Sequence, residues 1–84
     1  MKYSKERLRR IYDKTGGYCY HCYKKLAFTN YGWHPLKGAW EVEHSKPVSQ
    51  GGTDHLNNLF PSCIKCNRHK GDKTKQHYDR VKFK

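Results

Sequence analysis

Two pairs of cysteines, each with Cys-x-x-Cys spacing, most constrain what this sequence can fold into. The first pair is Cys19 and Cys22, the second is Cys63 and Cys66, and the sequence contains no other cysteine. This spacing is awkward for a disulfide within a pair but suits four thiolates around one tetrahedral Zn²⁺ ion. A four-sulfur shell leaves no open coordination position. We therefore expect a structural zinc, with any chemistry carried by other residues.

The length of the chain makes such a metal clamp necessary. A domain of 84 residues buries only about 60% of the surface that its unfolded chain exposes. Structural zinc in small modules contributes roughly 10 to 16 kcal/mol of apparent binding free energy, which exceeds the typical stability of a whole domain. We therefore expect the metal-free chain to be largely unfolded.

The charge balance indicates a partner that is a polyanion. Eighteen Lys and Arg residues stand against seven Asp and Glu, giving a formal net charge of +11, and the basic residues crowd both ends of the sequence. This favours nucleic acid over a merely solvated surface. Neither basic segment carries a broad apolar face, which argues against a membrane surface. The first residues contain no apolar run, which with reduced cysteines predicts a cytoplasmic location.

Hydrophobic periodicity predicts a mixed α and β chain. Ser4 is a candidate N-cap for a helix through about Thr15, which Gly16 and Gly17 end. Apolar and polar residues alternate from Ala39 to His44, which predicts a half-buried strand. Weaker signals predict, in chain order, a strand over 24–28, a helical turn over 55–59, a strand over 59–60 and a helix from residue 64.

Several motifs occur in a fixed order between residue 19 and about residue 74. They are Val42-Glu43-His44, Gly51-Gly52-Thr53, Asn57-Asn58-Leu59 and Cys63-x-x-Cys66-Asn67-x-x-Lys70-Gly71. Together they resemble the HNH endonuclease family. The resemblance implies a small α+β zinc-stapled domain, with a ββα-metal (HNH/His-Me finger) core and an N-terminal helix. We accordingly predict a single domain over residues 1–84, with the helix in 1–17, the zinc and ββα-metal core in 18–74 and a basic tail in 75–84.

The resemblance also implies roles for individual residues. His44 corresponds to the general base, and an imidazole that is largely neutral at cellular pH can take a proton from water. Glu43 and Asn67 correspond to the ligands of a catalytic Mg²⁺ or Mn²⁺ ion, and Asn58 to the asparagine that braces the loop. Glu43 is one methylene longer than the aspartate common in the family. Glu41 is a further candidate ligand, because residues two apart on a strand share a face.

Each of these residues has an ordinary alternative, since a strand-end histidine or a turn asparagine often has no catalytic task. Their joint occurrence beside a metal knuckle favours the catalytic interpretation. For nucleic-acid binding, Lys70 lies three residues after Asn67 on the predicted helix and is the expected phosphate contact. Further basic residues expected to bind nucleic acid are Arg68, Lys73 and Lys75.

The sequence therefore predicts a metal-dependent endonuclease that hydrolyses DNA, most simply double-stranded DNA, with RNA left open. One active site cuts one strand, so a monomer is expected to nick, whereas a homodimer or a partner protein is needed for paired cuts. By resemblance, small freestanding members are often products of phages or mobile elements. Two alternatives remain: a zinc module that binds nucleic acid without cutting it, and an accessory subunit of a larger DNA-processing machine.

Overall fold

The computed structural model describes residues 3–70 and shows a small α+β domain. Two helices and two strands follow one another as α1 (Lys5–Asp13), β1 (Trp40–His44), β2 (Leu59–Cys63) and α2 (Ile64–Lys70). Short 3-10 turns lie in the connections, at Phe28–Asn30, Val48–Gln50 and Leu56–Asn58. The predicted fold class, a ββα core with an N-terminal helix and a cysteine metal site, is confirmed. The division of 1–84 into three parts stays a prediction, and the tail 75–84 lies outside the described residues.

Helix α1 begins after Ser4, as the sequence predicted, and ends at Asp13, two residues before the predicted end at about Thr15. The Ser4 hydroxyl accepts a hydrogen bond from the Arg7 backbone N–H at 3.1 Å, which satisfies one of the unpaired N–H groups of the first turn. Leu8 and Ile11, three residues apart on one face, are buried against the sheet side of the domain. Helix α1 therefore owes its place to an apolar stripe and a cap, both of which are local sequence features.

The two strands form an antiparallel pair that positions the end of β1 beside the start of β2. Trp40 lies opposite Cys63 and His44 lies opposite Leu59. β2 is longer than the predicted strand and includes Pro61, which a two-stranded sheet tolerates because both of its strands are edges. Helix α2 follows β2 without a break and packs on both strands. Residues of α2 are thereby brought beside β1.

The core is built around the indole of Trp40, which is fully buried. The rings of Tyr12, Phe28 and Tyr31 pack against it with centroid distances of 5.6, 6.2 and 5.1 Å. The indole N–H donates to the Phe28 carbonyl oxygen at 3.2 Å, so its polar group is satisfied. A few large aromatic side chains thus supply much of the apolar contact that a short chain cannot obtain from aliphatic residues.

A basic residue joins α1 to the sheet. The Lys14 ammonium donates to the carbonyl oxygens of Leu56 and Leu59, both at 2.7 Å, and lies 3.6 Å from the centroid of the Phe60 ring. Burial lowers the pKa of Lys14 from its usual value. Its ammonium therefore ties the end of α1 to the start of β2, although the residue as a whole remains exposed.

The strand predicted over 24–28 is wrong. The backbone N–H of Leu26 bonds to the Gly17 carbonyl oxygen, whereas that of Ala27 bonds to the Gly38 carbonyl oxygen, so the segment has two partners and forms no continuous ladder. Gly38 has a φ of +79° and an added Cβ would lie 2.7 Å from the Ala27 backbone nitrogen, which requires glycine there. Within residues 3–70 the structure contains no helix with the length and apolar character needed to span a membrane.

Candidate active site

The four cysteines converge on one point. Cys19 and Cys22 come from the turn after α1, Cys63 ends β2, and Cys66 lies in the first turn of α2. Their sulfur atoms all lie within 4.8 Å of one another, and those of Cys22 and Cys63 are 3.9 Å apart. Tetrahedral zinc with Zn–S bonds of about 2.3 Å places its sulfurs roughly 3.8 Å apart. The cluster is therefore positioned to bind one metal ion, and its donor set fits zinc.

The backbone around the cluster favours thiolates, the form that binds metal. Cys19 Sγ accepts hydrogen bonds from the backbone N–H groups of His21 and Cys63, both at 3.4 Å, and Cys63 Sγ accepts from the Cys66 N–H at 3.5 Å. The hydrogen bond with the Cys63 thiol and these N–H groups lower the pKa of Cys19 to about 3. The same thiol pairing raises the pKa of Cys63.

Strand β1 and helix α2 meet through a carboxylate and an amide. The Asn67 side-chain N–H₂ donates to Glu41 Oε1 at 3.0 Å, and both side chains are half-buried. Glu43 lies two residues after Glu41 on the same face of β1. The direct partner of Asn67 is therefore Glu41, the further candidate from the sequence, and not Glu43.

The Glu43 carboxylate is buried and is held by two basic groups. His21 Nε2 lies 2.6 Å from Glu43 Oε1 and 2.5 Å from Oε2, and neither side chain is more than 1% exposed. The Lys70 ammonium lies 3.8 Å from Glu43 Oε2. A residue inside a Cys-x-x-Cys loop is expected to be exposed, because the four sulfurs already fill the zinc shell, but His21 is only 2% exposed. His21 connects the metal knuckle to β1.

His44, at the end of β1, contacts an aspartate in the loop that follows. His44 Nε2 lies 2.7 Å from Asp54 Oδ1, and the same oxygen accepts a hydrogen bond from the Tyr3 hydroxyl at 3.0 Å. The sequence predicted Asp54 only as a cap for the helical turn that follows it, and it predicted neither Asp54 nor Tyr3 as a site residue. Asp54 contacts His44 from ten residues further along the chain, and Tyr3 contacts Asp54 from 51 residues before it, so no local motif signals this arrangement.

Asn58 fixes both ends of the loop between the strands. Its side-chain oxygen accepts from the Lys46 N–H at 2.9 Å, and its N–H₂ group donates to the carbonyl oxygens of Lys46 and Thr53 at 3.1 and 2.8 Å. The Ser45 N–H donates to the Asn58 carbonyl oxygen at 2.9 Å. The residue immediately after His44 is thereby tied to the start of β2, so the loop cannot drift away from the histidine.

Lys70 occupies a different place from the one the sequence suggested. Its side chain is 2% exposed, and its ammonium donates to the His44 carbonyl oxygen at 3.0 Å. Because that group is buried against β1, the predicted phosphate contact does not fit its position. Arg68 is exposed on α2 and lines a groove of about 510 Å³ with Lys24 and Lys65. Among the described residues, no acidic side chain lines this groove. Lys73 and Lys75 lie outside the described residues.

A cleft of about 320 Å³ unites the candidate catalytic side chains at the end of β1. Its wall includes Glu43, His44, Asn67 and Lys70. The His44 and Asn67 side chains are partly exposed there, whereas the Glu43 and Lys70 side chains are only 1% and 2% exposed. The cleft wall thus combines an accessible imidazole and amide with a buried carboxylate and ammonium, and the imidazole suits proton transfer.

The family assignment follows from the sequence match that covers this region. The model of the HNH endonuclease family matches residues 19–73, which include the four cysteines, both strands and α2. The chain belongs to the HNH endonuclease family. Separate searches of curated proteins and of solved structures found no match. Helix α1 precedes the matched region of this HNH domain.

The oxygen donors of the HNH domain fit a hard divalent ion in their chemistry. Glu41, Glu43 and Asn67 offer carboxylate and amide oxygens on neighbouring elements, the donor types that Mg²⁺ and Mn²⁺ prefer. Both oxygens of Glu43 are within hydrogen-bonding distance of His21 in this structure. The Glu43 side chain is also only 1% exposed, so an ion can reach its carboxylate only when the surrounding side chains move.

Proposed function

We propose that this HNH domain is a metal-dependent DNA endonuclease that hydrolyses phosphodiester bonds, with His44 as the general base. The observation that carries the proposal is the cleft whose wall includes His44, Glu43 and Asn67, within a chain whose family is HNH endonuclease. The charge of +11 supports a nucleic-acid substrate.

In the proposed reaction, His44 takes a proton from a water molecule while the water oxygen attacks the phosphorus atom. The new P–O bond forms as the bond to the 3′ oxygen breaks, and that oxygen leaves as a hydroxyl after gaining a proton from solvent. The products are a 5′-phosphate and a 3′-hydroxyl. A histidine suits this task because its neutral imidazole has one nitrogen free to accept a proton.

A divalent ion, Mg²⁺ or Mn²⁺, would supply a Lewis acid at the scissile phosphate when bound. We propose Glu43 and Asn67 as its protein ligands, with Glu41 as a further one. The Glu41–Asn67 contact supports a role for Glu41. Separate Glu41→Ala and Glu43→Ala variants distinguish the two carboxylates, because the variant that loses Mn²⁺ binding in a calorimetric titration identifies the ligand.

Double-stranded DNA is the proposed substrate, bound mainly through its phosphates by exposed basic residues such as Arg68. We also propose Lys73 and Lys75 as phosphate contacts, on the basis of the basic sequence after Cys66 alone. Residues 3–70 contain one set of candidate catalytic residues around His44, so the proposed product of a monomer is a nick. Phosphate-dominated binding is expected to weaken steeply with salt and to show little sequence preference.

A supercoiled plasmid tests the activity. The zinc-loaded protein, given Mg²⁺ or Mn²⁺, is expected to convert supercoiled plasmid into the open-circular form. His44→Ala removes the base and is expected to slow nicking by about 10²- to 10⁴-fold. The matched control is His55→Ala, at an exposed histidine outside the cleft wall, which is expected to nick at the unaltered rate. The proposal would be contradicted if the protein bound the plasmid without nicking it and His44→Ala bound the plasmid equally well.

A second function, a zinc module that binds nucleic acid without cutting it, is favoured by one observation. The Glu43 carboxylate is already paired with His21 and lies near the Lys70 ammonium, which is the arrangement of a structural ion pair. Activity that appears only when a larger DNA-processing complex is added would indicate the third alternative, an accessory subunit.

A further inference from the structure

Residues that precede the family-matched region reach the candidate active site. The Tyr3 hydroxyl donates to Asp54 Oδ1 at 3.0 Å, and the Arg7 guanidinium donates to the Asp54 carbonyl oxygen at 2.6 Å. Both residues lie before residue 19, where the match to the HNH family begins. Asp54 in turn contacts His44. The start of the chain is thus connected to the proposed base through one aspartate.

We propose that Asp54 is a positioning residue for His44, and that Tyr3 and Arg7 hold Asp54 in place. This inference rests on the proposed function for the role of His44 in catalysis, while the contact itself can be tested without any activity.

The chemistry of the contact selects which nitrogen of His44 can act. An ionised carboxylate only accepts hydrogen bonds, so Nε2 of His44 must carry the proton that points to Asp54 Oδ1. In the neutral imidazole the other nitrogen, Nδ1, is then the acceptor. No residue of the described part of the chain hydrogen-bonds to Nδ1 of His44. Asp54 therefore fixes Nδ1 as the nitrogen that receives the proton from water.

Tyr3 sets the direction of the Asp54 carboxylate. The Tyr3 side chain is 6% exposed within the core, so its hydroxyl has a fixed position. It donates to the same Oδ1 atom that His44 contacts. Burial, then the hydrogen bond and the charge of Asp54, raise the pKa of Tyr3 to about 12. The hydroxyl consequently keeps its proton, and remains a donor, over the whole range of an activity assay.

Arg7 holds the backbone at the same residue. Its guanidinium bonds to the Asp54 carbonyl oxygen at 2.6 Å, and its own backbone N–H is bound by the Ser4 cap of α1. The Asp54 side chain is 54% exposed and lies on a loop, so it would sample several orientations without these anchors. Contacts to its side chain and to its main chain together make one orientation dominant.

The test compares three variants of the full zinc-loaded chain. Asp54→Asn keeps the shape but removes the charge, Tyr3→Phe removes only the hydroxyl, and Asp13→Asn is the matched control. Asp13 is an exposed acid on α1 paired with Arg9. Asp54→Asn is expected to lower kcat by about 10²-fold with KM unchanged, because a misplaced base affects the chemical step. Tyr3→Phe is expected to lower kcat less, and Asp13→Asn is expected to leave it unaltered.

A spectroscopic readout separates positioning from folding and from the proposed function. In ¹⁵N NMR at a pH where imidazoles are neutral, His44 of the unaltered protein is expected to show the Nε2–H tautomer. Asp54→Asn is expected to give a mixture of tautomers, while the backbone spectrum retains its folded dispersion. If Asp54→Asn changes the tautomer of His44 but the unaltered protein never nicks DNA, the proposed nuclease function is refuted while the positioning of His44 by Asp54 stands. An unchanged tautomer together with unchanged kcat would overturn the role of Asp54.

Discussion

Replacing His21 by alanine tests the buried link between the metal knuckle and β1. The imidazole and the Glu43 carboxylate are 0% and 1% exposed and lie 2.5 Å apart at Oε2, so neither group has water as an alternative partner. After the substitution the Lys70 ammonium, 3.8 Å from Oε2, remains near the carboxylate. A carboxylate that loses its nearest partner in a dry site must bear most of its desolvation cost.

The expected loss of stability is about 3 kcal/mol. Removing one partner of a buried ion pair typically costs about 3 to 5 kcal/mol, and the nearby Lys70 places this site at the lower end of that range. With a urea m-value on the order of 1 kcal/mol/M, the unfolding midpoint is expected to fall by about 3 M. This is a large fraction of the roughly 5 to 15 kcal/mol that holds a domain together.

A double-mutant cycle with Glu43→Gln isolates the pair from other effects. Urea unfolding of the His21→Ala, Glu43→Gln and double variants, at a fixed excess of zinc, is expected to give a coupling energy of about 1.5 to 3 kcal/mol. His55→Ala, at an exposed histidine, serves as the control and is expected to change stability by less than about 0.5 kcal/mol. A His21→Ala loss below about 1 kcal/mol, or a coupling near zero, would refute the reasoning.

Three further predictions concern the metal site and the loop after β1. Removing zinc with a chelator is expected to unfold the domain, seen as loss of far-UV circular dichroism that returns when zinc is added; retention of the folded spectrum would count against a structural ion. Gly52→Ala would place Cβ 1.8 Å from the Lys46 carbonyl oxygen, so thermal unfolding is expected at a lower temperature. Gly51→Ala, where Cβ meets nothing closer than 3.9 Å but φ is +87°, measures the cost of backbone strain without that clash. Asn58→Ala removes the three side-chain hydrogen bonds to Lys46 and Thr53 and is expected to cost about 2 kcal/mol; a loss near zero in urea unfolding would show that the loop needs no such brace.

The elements that follow local rules could be predicted from the sequence. Helix α1 was signalled by the Ser4 cap and the spacing of Leu8 and Ile11, and strand β1 by alternation around Trp40. The cysteine cluster was signalled by its spacing. In each case the physical cause, a cap, an apolar face or a ligand set, lies within a few residues of chain or in a motif with one chemical meaning.

The partners of charged groups could not be predicted, because they depend on contacts between distant segments. Nothing in Cys-x-x-Cys spacing indicates that His21 would turn inward to meet a carboxylate 22 residues later. Helical spacing correctly put Lys70 on the side of Asn67, since both line one cleft. It did not indicate that the ammonium would be buried against the His44 carbonyl oxygen. Helical periodicity predicts which face of a helix a side chain lies on, whereas its burial depends on the segment that packs against that face.

The placement of the two tryptophans gives this protein an internal optical probe. Trp40 is fully buried among aromatic rings, whereas Trp33 is 64% exposed. The two indoles therefore emit from unlike surroundings, and unfolding moves only the former from a dry site into water. A Trp33→Phe protein would retain a single tryptophan, at the centre of the core. The emission wavelength of Trp40 would then report whether the domain stays folded while duplex DNA is titrated into the same sample.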